Sequence, residues 1–290
     1  MVGALLKTDP FKDSGDLAIK AAKGVNKSSS KWLPLLRNIV QELYGRGIDI
    51  HVYTVGDTRW NSVQACFSSQ LRIKSACRQL AIRHKEHPKF PSALLPWGSD
   101  TFWKDVEEAE LLVRPLCDAS YLLQRTGNTL AHVVLVFFNL AIHIVQYCGG
   151  SPHHELLLCD IEKRWNAEEH PLFFLAFLMH PAYREVGKRI ITESVLKRGS
   201  WATSMNCLTE GRLRQALVFY YRKFKLFTTD DHVEEKTRLV REFSVWLSDR
   251  IKHENITFMP YEDGEYPGEW WLTHKSELPR LCRFAVFILG

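Results

Sequence analysis

Between Pro171 and Pro181 the chain carries Leu172-Phe173-Phe174-Leu175-Ala176-Phe177-Leu178-Met179, a run without a polar side chain in it. A helix that is apolar on every side has no face to give to water and must be enclosed by other elements. Proline closes such a run because it breaks the helical hydrogen-bond ladder. The segment from His170 to Met179 therefore predicts the buried centre of a helical domain. With 290 residues and 46% apolar side chains, the chain has material for one or two ordinary folded domains around it.

The enclosing helices are legible as amphipathic periodicity. Leu17, Ile19, Ala22 and Val25, then Trp32, Leu35, Leu36, Ile39, Val40 and Leu43, recur at helical spacing on either side of Ser28-Ser29-Ser30. Ser30 is a candidate cap for the second helix, and Gly45-Arg46-Gly47 is a stop signal. Ile48–Val55 is β-branched and alternates, which predicts a strand. Asn61 or Ser62 can cap a long helix whose apolar face is Val63, Cys66, Phe67, Ile73, Cys77 and Leu80. Lys74, Arg78 and Lys85 run along its side, with Arg72 and Arg83 opposite. Pro88, Pro91, Pro96 and Gly98 mark a loop. Further helices are predicted over Phe102–Leu123, Thr129–Tyr147, His153–Trp165, Tyr183–Leu196, Trp201–Phe227, Asp230–Ile251 and Leu278–Leu289, with a loop from Pro260 to Gly268. The fold class is mainly α, with one short strand.

Composition narrows the chemistry. A net charge of +5 permits a polyanionic partner without demanding one. Seven scattered cysteines with no Cys-x-x-Cys pair suggest neither a disulfide framework nor a zinc ribbon, and an intracellular chain fits them best. Thr129–Cys148 is apolar, yet His132, Asn139, His143 and Gln146 would be costly in lipid, so no membrane partner is expected. Asp105, Glu107, Glu108 and Glu110 favour a helix N-terminus and do not converge as metal ligands would. His153-His154 with Asp160 is set aside, because adjacent histidines point to different sides of a helix. No catalytic residue and no metal ligand is assigned.

What stands out is basic residues beside aromatic ones. Arg59-Trp60 sits at the predicted strand-to-helix junction, where a cation can grip a phosphate and an indole can stack on a base. A buried tryptophan with a salt-bridged neighbour is the competing reading. Lys163-Arg164-Trp165 repeats the pattern, Lys74 and Arg78 follow Trp60 on one helix side, and Arg222-Lys223-Phe224-Lys225 interleaves charge with an aromatic ring. Arg59, Trp60, Lys74, Arg78, Arg164 and Trp165 are the candidate DNA-binding residues.

Four blocks in order resemble the hAT family of DNA transposases: Thr58-Arg59-Trp60-Asn61-Ser62 after an apolar strand, Arg114-Pro115-Leu116, His170-Pro171-Leu172 running into Phe177-Leu178-Met179-His180-Pro181, and Trp270-Trp271 with Leu278-Pro279-Arg280-Leu281-Cys282-Arg283. The resemblance covers nearly the whole chain. It implies a helical insertion domain attached to a partial ribonuclease H-like α/β core: residues 1–59 as a remnant of that core, 60–262 as the all-helical insertion, and 263–290 as the start of a C-terminal core and dimerisation segment. In the family, two aspartates and a glutamate hold divalent metal such as Mg for attack on DNA phosphodiesters. None of the three maps onto a residue here. The resemblance implies that the chain starts after the aspartates and stops before the glutamate, which leaves it inactive and without a cofactor of its own. It further implies DNA partners (a hairpin or a transposon end), a homo-oligomer, a nuclear location, and stacking of Trp60 on a base turned out of the duplex. The alternative is a domesticated or relic helical module for protein–protein contacts, with no DNA activity.

Overall fold

The computed structural model describes residues 11–45, 52–54, 61–147, 154–196, 209–228, 232–248 and 265–290. Arg59, Trp60, most of the predicted strand Ile48–Val55 and the predicted helix start at Asp230 lie outside the described residues. Among the described residues the regular structure is helical and none lies in a strand. The chain is mainly α. The helices are α1 (Phe11–Lys27), α2 (Trp32–Tyr44), α3 (Asn61–Arg72), α4 (Lys74–His84), α5 (Asp100–Leu123), α6 (Ala131–Tyr147), α7 (His154–Glu168), α8 (Pro171–Met179), α9 (Arg184–Leu196), α10 (Glu210–Lys223), α11 (His232–Leu247), α12 (Pro267–Thr273) and α13 (Pro279–Leu289), with a 3-10 turn at Ser92–Gly98. No helix among the described residues is long and apolar enough to cross a membrane.

The chain forms two compact units, Met1–Tyr121 with Ile142–Leu158 and Leu122–Ala141 with Cys159–Gly290. The boundary expected at 59/60 falls inside the first unit, and the one expected at 262/263 falls inside the second.

In the first unit, α1 packs on α3 and on the 3-10 turn, and α2 packs on α4. Gln70 of α3 is fully buried and joins three elements: its Nε2 donates to the Ala18 carbonyl at 3.0 Å, and its Oε1 accepts from Trp97 Nε1 at 3.0 Å. Trp103 Nε1 in turn donates to the Trp97 carbonyl at 2.8 Å. A buried amide is tolerated only when its bonds are made, so these three elements are held in one arrangement. Of the predicted strand, Val52–Thr54 is described and forms no ladder: the Val52 carbonyl accepts from Asn26 Nδ2 at 2.7 Å, and Tyr53 N–H donates to Ser69 Oγ at 3.1 Å.

Several local expectations need correction. The helix predicted as continuous from Val63 is two helices broken at Ile73, without a proline or glycine to mark the break. Ile73 is buried (1% exposed), so tertiary packing rather than propensity sets it. Ser30 does not cap α2; Lys31 stands at that position without a side-chain cap. Gly45 does end α2, at φ +82°, the left-handed region glycine adopts freely. The loop predicted to reach Gly268 gives way at Pro267, the first residue of α12, where a proline's missing N–H costs no bond.

In the second unit, α8 is the buried centre, with Phe174 through Met179 all enclosed. Burial of each large side chain there contributes about 1.5–3 kcal/mol. Helices α9, α10 and α13 pack on α8. Gly187 permits the close approach of α9, since a Cβ there would lie 2.6 Å from Leu178 Cδ2. The last carbonyls of a buried helix need partners. Two indoles supply them: Trp246 Nε1 donates to the Leu178 carbonyl and Trp271 Nε1 to the Met179 carbonyl, each at 2.7 Å. Arg184 closes the end of α11 by donating to the Trp246 and Ser248 carbonyls while stacking over the Trp246 ring. Glu242 closes the start of α13 by accepting from the Arg280 and Leu281 N–H groups at 2.8 Å each.

Candidate nucleic-acid interface

The candidate cations divide by what faces them. Lys74 and Arg78 lie on α4, opposite the acidic start of α5. Lys74 Nζ is 2.8 Å from Glu107 and Arg78 Nη2 is 2.6 Å from Asp100. Lys74 also stands 5.9 Å from the Trp103 ring. A phosphate would have to displace these carboxylates, so the two residues are already committed within the fold. The acidic turn of α5 serves α4 as well as its own helix dipole.

Arg164 and Trp165 part company. Arg164 is exposed on α7, whereas Trp165 is 4% exposed, edge-on to Phe137 at 5.1 Å and to Phe174 at 5.3 Å. Both neighbours belong to the core around α8, and the Trp165 ring has no face left for a base. It is a core residue, contrary to its assignment from sequence.

The segment Arg222-Lys223-Phe224-Lys225 ends α10. Phe224 is anchored, 4.5 Å from the Phe287 ring. Lys225 takes φ +55°, and Leu226 N–H bonds to the Tyr221 carbonyl, a helix termination that usually employs glycine. Arg222, Lys223 and Lys225 are exposed and have no carboxylate partner among the described residues. The α10 dipole accounts for part of this charge, because cations are favoured at a helix C-terminus. It does not account for Lys236, which sits near the N-terminal end of α11, where the dipole disfavours a cation.

Lys236 faces α10 across a groove. Helices α10 and α11 pack against each other, and between them runs a depression of about 540 Å³. Arg214 and Arg222 line it from α10, His232 and Lys236 from α11, over Val218, Phe219 and Val240, and no carboxylate lines it. Arg214 also lines a second depression of about 490 Å³, with Glu210, Arg241, Ser244 and Ser248. Among the described residues, Arg214 is the one groove cation with a carboxylate partner, Glu210. Comparison with protein-family models, curated proteins and solved structures finds no match.

The pattern behind the groove was present in the sequence. Arg214, Val218, Phe219 and Arg222 fall at i, i+4, i+5 and i+8, and His232, Lys236 and Val240 at i, i+4 and i+8. Each reads as one face of a helix; that the two faces meet is tertiary information.

Other reactive groups are structural. Burial pushes the Cys66 thiol up to about 12 and the Cys117 thiol up to about 11, away from nucleophilic thiolate. His180 is 3% exposed and stacked on Tyr183, and burial, with His132 nearby, lowers its imidazole to about 3. Glu235, 2% exposed, is held by Arg283 at 3.0 Å and by Thr228. No group of three or more His, Cys, Asp or Glu among the described residues could hold a metal ion.

Proposed function

We propose that the chain binds DNA through its helical surface, as a piece of a hAT-type transposase that carries no strand-cleaving acids. The observation that carries this reading is the α10–α11 groove, where cations stand on both walls with no carboxylate in the lining. Uncommitted guanidinium and ammonium groups on facing helices suit a phosphate backbone, which dominates nucleic-acid affinity. Arg164, exposed on α7 of the same unit, remains a candidate contact. The order of the hAT-like blocks supports the lineage, with residues 1–59 and 263–290 as pieces of a ribonuclease H-like core. Arg59 and Trp60 keep their proposed role at a flipped base, outside the described residues. A nuclear location is proposed on the hAT resemblance alone.

The test is fluorescence anisotropy of the whole chain with a labelled DNA hairpin and a matched duplex at two salt concentrations. Binding that weakens steeply with salt is expected, with slope set by the number of phosphates contacted. Salt-insensitive binding, or none from a folded chain, would contradict it and favour a protein-contact module. Val233 (77% exposed) and Phe219 (58% exposed) would be natural contacts for such a module.

A further inference from the structure

We infer that the α10–α11 groove takes a single strand of nucleic acid, with an unpaired base stacked on Phe219. The inference rests on the nucleic-acid reading of the groove and names the form of the ligand. Phosphates alone explain the rim but not the floor. A duplex turns its charged backbone outward and would leave Val218, Phe219 and Val240 facing water, whereas an unpaired base has a flat apolar face to lay on them.

The Phe219 ring is both available and held. It is 58% exposed, yet the Tyr220 ring meets it edge to face at 5.0 Å. Tyr220 is itself fixed, 8% exposed and with its hydroxyl 3.0 Å from His170 Nε2 at the start of α8. A ring positioned from beneath loses little freedom when a base covers it. Cations surround it in register: Arg222 and Lys223 follow one turn along α10, with Lys223 Nζ 6.0 Å from the ring, and Lys236 stands across the groove. A stacking ring inside a channel of permanent cations is the arrangement that binds single strands with little sequence preference. At 14 residues, α10 is about 21 Å long, enough for several nucleotides in extended form.

The experiment compares the whole chain, Phe219→Ala, Phe219→Trp and the double variant Arg222→Glu/Lys236→Glu, each checked for unchanged circular dichroism. The probes are labelled oligothymidine and a duplex of equal length. Phe219→Ala is expected to weaken oligothymidine binding about tenfold while moving duplex binding less than about twofold and leaving the salt slope unchanged. Phe219→Trp should retain affinity, and its added fluorescence should be quenched by the strand. If Phe219→Ala leaves oligothymidine binding unchanged, or weakens both probes equally, the base-stacking inference is overturned while a cationic DNA surface stands. If neither probe binds the unaltered chain, the DNA reading falls and takes this inference with it.

Discussion

Two helical surfaces of this chain carry basic residues, and they are not equivalent. On α4, Lys74 and Arg78 each meet a carboxylate of α5. In the α10–α11 groove, Arg222 and Lys236 meet none among the described residues, and no carboxylate lines the groove. A row of cations on a helix therefore does not reveal whether its charge is available. What decides is the element packed opposite, and the same unit shows the extreme case, Arg283 locked onto buried Glu235.

The largest effect expected from this contrast is on stability. Glu235→Ala would remove the carboxylate that holds Arg283 and accepts from the Thr228 N–H, and should cost about 2 kcal/mol, less than breaking a fully buried pair because Arg283 is partly exposed and keeps its bonds to the Tyr221 hydroxyl and the Leu226 carbonyl. Urea denaturation reads this directly. A loss below about 1 kcal/mol would mean that the pair behaves as a surface ion pair. Next comes Arg222→Glu/Lys236→Glu, which should leave stability nearly unchanged but weaken duplex DNA binding by about tenfold or more. Equal losses of stability and binding would erase the distinction between committed and available charge.

Both comparisons have to be made at a pH where the second unit is fully stable. His180 is held neutral by burial, well below the usual imidazole value, so the unfolded chain binds a proton that the folded chain does not. Stability is then full above about pH 6.5 and falls as pH drops from there toward about 3, by at most about 1.4 kcal/mol per pH unit from this group. His180→Phe, followed by thermal melts from pH 7 to pH 5, should flatten that slope. An unchanged slope would place the acid sensitivity elsewhere.

The smallest effect is the converse experiment on α4. Asp100→Asn/Glu107→Gln frees Arg78 and Lys74, and should raise DNA affinity at low salt by about twofold, with a stability change within about 1 kcal/mol. No gain would show that the α4 face lies away from any bound strand.

The sequence carried the fold further than the site, for a physical reason. Periodicity and punctuation are local, so the buried α8, the stop at Gly45 and nearly every helix were legible. The break at Ile73 was not, since no proline or glycine marks it and only the folded chain shows that side chain enclosed. Nor were the indole caps on Leu178 and Met179, which come from residues 68 and 92 positions away. Trp165 misled for the same reason: beside two cations it resembles a stacking platform, yet it is packed between Phe137 and Phe174. Lys74 and Arg78 look free until α5 is placed against them. The groove is not legible in the sequence because its two walls are each ordinary amphipathic faces until they meet.

The most direct test of available against committed charge is the salt dependence of duplex DNA binding, measured side by side for the unaltered chain, Arg222→Glu/Lys236→Glu and Lys74→Glu/Arg78→Glu. The groove variant should lower the slope of log K against log salt by about 2, and the α4 variant should change it by less than about 0.5. The reverse order would contradict the account and move the DNA surface to α4.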